Sequence, residues 1–185
     1  ECSAGCAVVY NGGHLVLNYA TFSNCYSETT GGAMHVEGRV TATSSTFSNN
    51  RADCASGAGG GVFMIRGWDG DVEGVVSTTL CSFIGNDGDC QGGVASPHWG
   101  GQWISSGDYF ESNTASYGYI LYTYYGHQPG YATFSSSCPT GSGGSCTAEP
   151  TAAWVTAPSS ETVYNCECFT PTAAPTTSAP TASPA

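Results

Sequence analysis

Lysine is absent from this chain of 185 residues, and only Arg39, Arg51 and Arg66 supply the three basic side chains. Against fourteen acids the formal net charge is -11. Nucleic acid and anionic membranes both need clustered Lys and Arg, so neither is an expected partner. Long apolar runs are missing as well. No stretch approaches the ~18 residues of a membrane-spanning helix, and no basic segment followed by an apolar one opens the chain. Membrane insertion is therefore not expected, and Glu1 reads as the start of a processed chain or of a piece of a longer one. No asparagine begins the N-x-[ST] sequon, so N-linked glycans are not expected. Nor does any segment show apolar residues at the i, i+3, i+4, i+7 spacing of an amphipathic helix.

What the chain does have is glycine, 26 in all, with many Ser and Thr, and an even set of ten cysteines. These are Cys2, Cys6, Cys25, Cys54, Cys81, Cys90, Cys138, Cys146, Cys166 and Cys168. Such a set in a Gly-rich chain without lysine reads as a disulfide framework formed in an oxidising compartment, which places the protein outside the cell. Metal binding fits less well. No C-x-x-C pair occurs, and His14, His35, His98 and His127 stand apart from the cysteines at non-ligand spacing.

An internal repeat organises residues 1–138. Phe47, Phe83 and Phe110 each open the form F-x-x-N-x-[A/G], reaching Asn50, Asn86 and Asn113; Phe22 and Phe134 open degenerate copies. The intervals between these phenylalanines are 25, 36, 27 and 24 residues. A Gly-Gly pair follows each complete or degenerate copy in the first three coils, at Gly31-Gly32, Gly60-Gly61 and Gly92-Gly93, and leads into a small apolar residue. A period of this length carrying only β signals predicts an all-β parallel β-helix, or β-solenoid, of about five coils. Each coil is expected to hold two strands, one from the Gly pair (such as 33–36) and one running into the Phe (such as 40–47). The phenylalanines should stack inside, about 4.8 Å apart along the axis. The Gly pair should sit where a Cβ would collide. Asn50, Asn86 and Asn113 are expected at a corner in the left-handed region, forming a turn ladder of amides.

These G-G-[A/V] and F-x-x-N motifs resemble the repeats of the polymorphic outer-membrane protein family and of related β-helix surface proteins, over about residues 5–138. The resemblance implies a right-handed β-helix used for adhesion or surface display. Unlike that family, the chain is not expected to carry a C-terminal membrane barrel, and its repeats are followed by a mucin-like segment. Similar repeats in secreted proteins of algae and other protists fit that segment better.

Coil register narrows the disulfide pairing. Cys25 and Cys54 each precede a Gly-Gly by six residues, and Cys54 and Cys90 each follow a repeat Phe by seven. Equivalent residues on adjacent coils lie within disulfide reach, so Cys54 is expected to bond Cys25 or Cys90. Cys166 and Cys168 are too close to bond each other, and Cys138 and Cys146 are candidate partners. They would staple residues 139–168 to the last coil as a cap.

Two further segments carry candidate sites. Asp69, Asp71 and Glu73 alternate like calcium ligands within an insertion, but the twelve-residue calcium loop is absent, and a solvated acidic turn explains them more simply. No other cofactor is expected. From 169 to 185 the chain is a Pro/Thr/Ser/Ala segment that favours polyproline II. There Thr170, Thr172, Thr176, Thr177, Ser178, Thr181 and Ser183 are expected O-glycosylation sites carrying covalent glycans.

Together these features predict a structural glycoprotein that self-associates into a filament, a surface appendage such as a flagellar-hair-type fibre, or a wall layer. A carbohydrate-binding adhesin is the alternative, using Trp99, Trp103, Tyr117, Tyr119, Tyr122, Tyr124 and Tyr125 as stacking platforms. A polysaccharide lyase or hydrolase is the third reading, since parallel β-helices host such enzymes. It lacks a Lys or Arg base in an acid cluster, a readable Ser-His-acid set, and a clear carboxylate pair, although Asp87, Asp89 and Asp108 could converge.

Overall fold

The computed structural model describes residues 5–53, 59–67, 74–89, 91–116, 120–123 and 130–135, with strands at 143–146, 162–164 and 166–169. Every regular element among them is a strand. The first coil holds β1 (Ala7–Val9), β2 (His14–Asn18), β3 (Thr21–Ser23) and β4 (Tyr26–Ser27). The second repeats the series as β5 (Met34–Val36), β6 (Arg39–Thr43), β7 (Thr46–Ser48) and β8 (Arg51–Ala52). The third holds β9 (Phe63–Arg66), β10 (Val75–Thr79) and β11 (Ser82–Ile84), and the fourth β12 (Ala95–His98), β13 (Gln102–Ser106) and β14 (Tyr109–Glu111). In the fifth are β15 (Leu121–Thr123) and β16 (Tyr131–Ser135), followed by β17 (Gly143–Cys146), β18 (Thr162–Tyr164) and β19 (Cys166–Phe169).

Equivalent strands of successive coils pair in parallel and in register. They stack into a first sheet β1-β5-β9-β12-β15, a second β2-β6-β10-β13-β16 and a third β3-β7-β11-β14. A narrow fourth ladder runs through Tyr26, Arg51, Asp87 and Thr114. β18 adds to β15 antiparallel, and β17 pairs antiparallel with β19, setting the Cys146 backbone opposite Cys166. The chain is therefore an all-β solenoid of stacked parallel sheets.

The interior follows from the repeat. Phe22, Phe47, Phe83 and Phe110 form one column of near-parallel rings, with centroids 5.6, 5.1 and 5.3 Å apart in order. Phe63 and Trp103 meet that column edge-on. Around it lie buried Met34, Val36, Val40, Ile65, Val76, Val94 and Leu121. Offset and edge-to-face rings each add about 0.5–1.5 kcal/mol beyond the area they bury. The Gly pairs are sterically obligatory. A Cβ on Gly31 would run into the Met34 carbonyl, and one on Gly61 into the Gly93 carbonyl of the next coil.

Two expectations are corrected. The run into each Phe is not one strand but two. Tyr19, Ser44, Leu80 and Gly107, with φ of 54°, 47°, 53° and 64°, turn a corner between the second and third sheets. A β-branched stretch such as 40–47 hides this corner, because only Gly107 has a residue type suited to positive φ. The second corner also falls one residue earlier than expected. Asn24, Asn49, Gly85 and Ser112 hold positive φ, and Asn50, Asn86 and Asn113 follow them.

Candidate functional site

Asn50, Asn86 and Asn113 point inward from that corner and are buried. Each Oδ1 accepts the backbone N–H of the equivalent residue one coil earlier: Asn50 from Cys25 at 3.0 Å, Asn86 from Asn50 at 3.0 Å, and Asn113 from Asn86 at 3.1 Å. Each Nδ2 donates to a Phe carbonyl one coil earlier, namely Phe22, Phe47 and Phe83. Neighbouring amides also bond each other at 2.9 Å. Cys25 holds the same place in the first coil, where the column gives up its amide and uses the sulfur to bond Cys6 across 19 residues. Cys54 is therefore not the partner of Cys25.

A second inward column lies one residue before each third-sheet strand, at partly buried Ala20 and at buried Ser45, Cys81 and Asp108. Ser45 Oγ accepts from the Ala20 N–H at 3.1 Å. Asp108 accepts from the Cys81 N–H at 2.7 Å, from Ser105 Oγ at 2.7 Å and from Thr78 Oγ1. Thr78 in turn accepts from Trp103 Nε1 at 3.0 Å. Burial raises the Asp108 carboxyl above its ordinary range, and these donors oppose the rise. Cys81 departs from the expected framework: its thiol is free and buried, and burial raises its pKa. A raised pKa and lost access both make a thiol inert. Asp108 thus belongs to the interior, while Asp87 lies on the outer fourth ladder and Asp89 is exposed beside it, its N–H donating to Asp87 Oδ1.

On the outer face of the first sheet, alternation sets His35, Met64 and Ser96 in one row and brings Ser96 Oγ within 2.8 Å of His98 Nε2. Both residues are buried. Burial, reinforced by the Arg66 cation, pushes His98 down to about 4. An imidazole acting as a base for serine must become an imidazolium, and both influences resist that. Burial likewise lowers His35, against the pull of Glu37 at 3.4 Å.

The outer face of the second sheet is different. Its in-register strands line up Val16, Thr41, Ser77, Ile104 and Thr133 in one rank, and Asn18, Thr43, Thr79 and Ser106 in the next. No member of either rank is charged or aromatic, but a third rank on the same face, His14, Arg39, Val75 and Gln102, brings in the exposed Arg39 cation and the His14 imidazole. More charge gathers at the fourth ladder, where Arg51 meets Asp53 at 2.6 Å and Asp87 at 3.3 Å. The Tyr26 hydroxyl, at 2.7 Å, and Arg51 together hold Asp53 below the usual carboxylate range.

Of the exposed large apolar side chains among the described residues, Tyr19 at 83 %, Tyr10 at 69 %, Val16 at 55 % and Tyr26 at 50 % exposure lie on the first coil, and Leu80 and Ile104 on the third and fourth. The aromatics expected as sugar platforms behave otherwise. Trp103 and Tyr122 are buried, and Trp99 lies beneath Arg66, whose guanidinium carbon is 4.5 Å from the ring centroid. Tyr117, Tyr119, Tyr124 and Tyr125 lie outside the described residues, as do Cys2, Cys54, Cys90, Cys138, Asp69, Asp71, Glu73 and the hydroxyls from Thr170 to Ser183. No protein-family model, no curated protein and no solved structure matches the chain.

Proposed function

We propose that this protein is a non-catalytic extracellular structural glycoprotein. In this reading a right-handed parallel β-helix associates end to end as a subunit of a filament, a surface appendage or a wall layer. The right-handed sense rests on the strong preference of parallel crossover connections for that hand. The observation that carries the assembly reading is the first coil. Among the described residues, β1, β2 and β3 are edge strands of the three main sheets, and four exposed apolar side chains stand beside them. Parallel edges with free N–H and C=O groups are templates for further strands, and a contact between unlike ends continues as a fibre instead of closing.

Sedimentation and negative-stain electron microscopy over a concentration series test this. The expected result is elongated oligomers that grow with concentration, and their loss in Tyr10→Asp combined with Tyr19→Asp. Asp is tolerated at the positive φ of residue 19, so that variant should still fold. A monodisperse monomer at every concentration would remove the assembly reading.

A further inference from the structure

We propose that the outer face of the second sheet is an ice-binding surface. The face carries two parallel ranks of mostly short side chains, bordered on one side by His14, Arg39, Val75 and Gln102, and the centre of the two ranks is the block Thr41, Thr43, Ser77 and Thr79 on β6 and β10. Thr79 is exposed and the other three are half-buried, with the Thr41 hydroxyl held at 3.1 Å by His14 Nε2. Ser106 and Thr133 extend the hydroxyl pattern along the sheet, while Val16, Asn18 and Ile104 interrupt it.

The spacing is set by the fold. Neighbouring strands stand about 4.8 Å apart, and residues two apart on one strand about 6.6 Å apart. The result is a rectangular grid of hydroxyl and methyl groups over five strands, with no bulge in any of its four strand pairings. The rows of water oxygens on the prism face of hexagonal ice have a repeat close to that of the coils in one direction. Each Thr or Ser hydroxyl can both donate to and accept from such a lattice. Methyl groups of Thr, Val and Ile hold water weakly, and the ranks contain no charge that would keep its own liquid shell.

The grid is also rigid. Trp103, Thr78 and Asp108 link β10 and β13 from below, and the asparagine column locks the coils at one separation. An array that is already ordered loses little entropy on binding, so many weak contacts can add up. A neutral polysaccharide is the other candidate for two uncharged ranks. It would call for a run of aromatic platforms or planar amide and carboxylate groups, and the two ranks offer only Asn18, with His14 and Gln102 at opposite ends of the bordering rank. The proposal rests on this face and shares only Val16 with the assembly reading.

The test is ice-affinity partitioning of the purified full chain into slowly grown ice, paired with inhibition of ice recrystallisation. The expected result is enrichment in the ice fraction over an albumin control, with small grains maintained on annealing. Thr43→Tyr combined with Ser77→Tyr should return both readings to the control level, with circular dichroism and melting temperature unchanged. Thr114→Tyr, on the charged ladder, should retain both. If the double variant fails to fold, Thr79→Lys replaces it, with the same loss expected. Exclusion of the wild type from ice overturns the proposal, as does unchanged partitioning of the folded face variant. Retention on crystalline cellulose or chitin without ice enrichment also overturns it, in favour of a polysaccharide.

Discussion

Asn50 donates two hydrogen bonds to a single atom, the Oδ1 of Asn86: its backbone N–H at 3.0 Å and its Nδ2 at 2.9 Å. Asn86 does the same to Asn113, at 3.1 and 2.9 Å. One side chain per coil thus fixes the spacing, the register and the polar satisfaction of a buried corner. The phenylalanine column beside it supplies the apolar half of the same joint.

Because Asn86 makes four side-chain bonds and Asn50 three, their loss should be graded. At ~1 kcal/mol per bond, Asn86→Leu should cost about 4 kcal/mol and Asn50→Leu about 3, read from urea unfolding midpoints. Equal or reversed costs would show that the column does not act as a cooperative ladder.

Gly61→Ala places a methyl group against the Gly93 carbonyl and the Asp87 backbone, neither of which can move without parting the coils. Overpacking of this kind should cost roughly 3 kcal/mol or more. Gly12 offers the contrast. Its φ is 75°, but nothing lies within 4 Å of an added Cβ, so Gly12→Ala should cost only the left-handed conformation, about 1–2 kcal/mol. Thermal melts of the two variants check the difference.

Cys6→Ser opens a disulfide spanning 19 residues, and loop entropy predicts a loss of about 3 kcal/mol. Cys81, by contrast, should resist alkylation in the native chain and react only after unfolding, because its thiol is buried with a raised pKa. Mass-resolved labelling with and without denaturant reads this out. Native labelling at Cys81 would contradict its place in the core.

Acid should weaken the fold through His98. The unfolded chain takes up this proton near pH 6.5, whereas the folded chain refuses it until about 4. Stability from this group is therefore complete above pH 6.5, falls as pH drops towards 4, and changes no further below that. The loss amounts to about 3 kcal/mol. His35 acts in the same direction. Asp108, whose folded pKa is raised, acts in the opposite one, costing stability as pH climbs above the ordinary carboxylate value. Urea titrations at several pH values should show a shallower slope between pH 6.5 and 4 for His98→Gln than for the wild type.

Much of the coil was legible in one dimension because a solenoid repeats in one dimension. The Phe interval, the Gly pairs and the Asn positions recur in the sequence for the same reason that they stack in space. The corners at Tyr19, Ser44 and Leu80 were not legible. Their left-handed backbone is imposed by the closure of each coil, and no Gly or Asn marks them. The hydroxyl ranks were hidden for a related reason. Thr41 and Ser77 are 36 residues apart along the chain, and only strand register makes them neighbours.

By itself, then, the sequence determined the class of fold, the repeat unit and the contents of the Phe and Asn columns, since each depends on periodicity alone. The tertiary structure decided that Cys25 bonds Cys6, that Cys81 stays free, that Asp108 turns into the core, and that Ser96 meets a neutral His98. Those outcomes depend on which side chains alternation aims inward and what then faces them across a coil. That is a matter of pairing in three dimensions and of local dielectric, and residue spacing along the chain does not encode it.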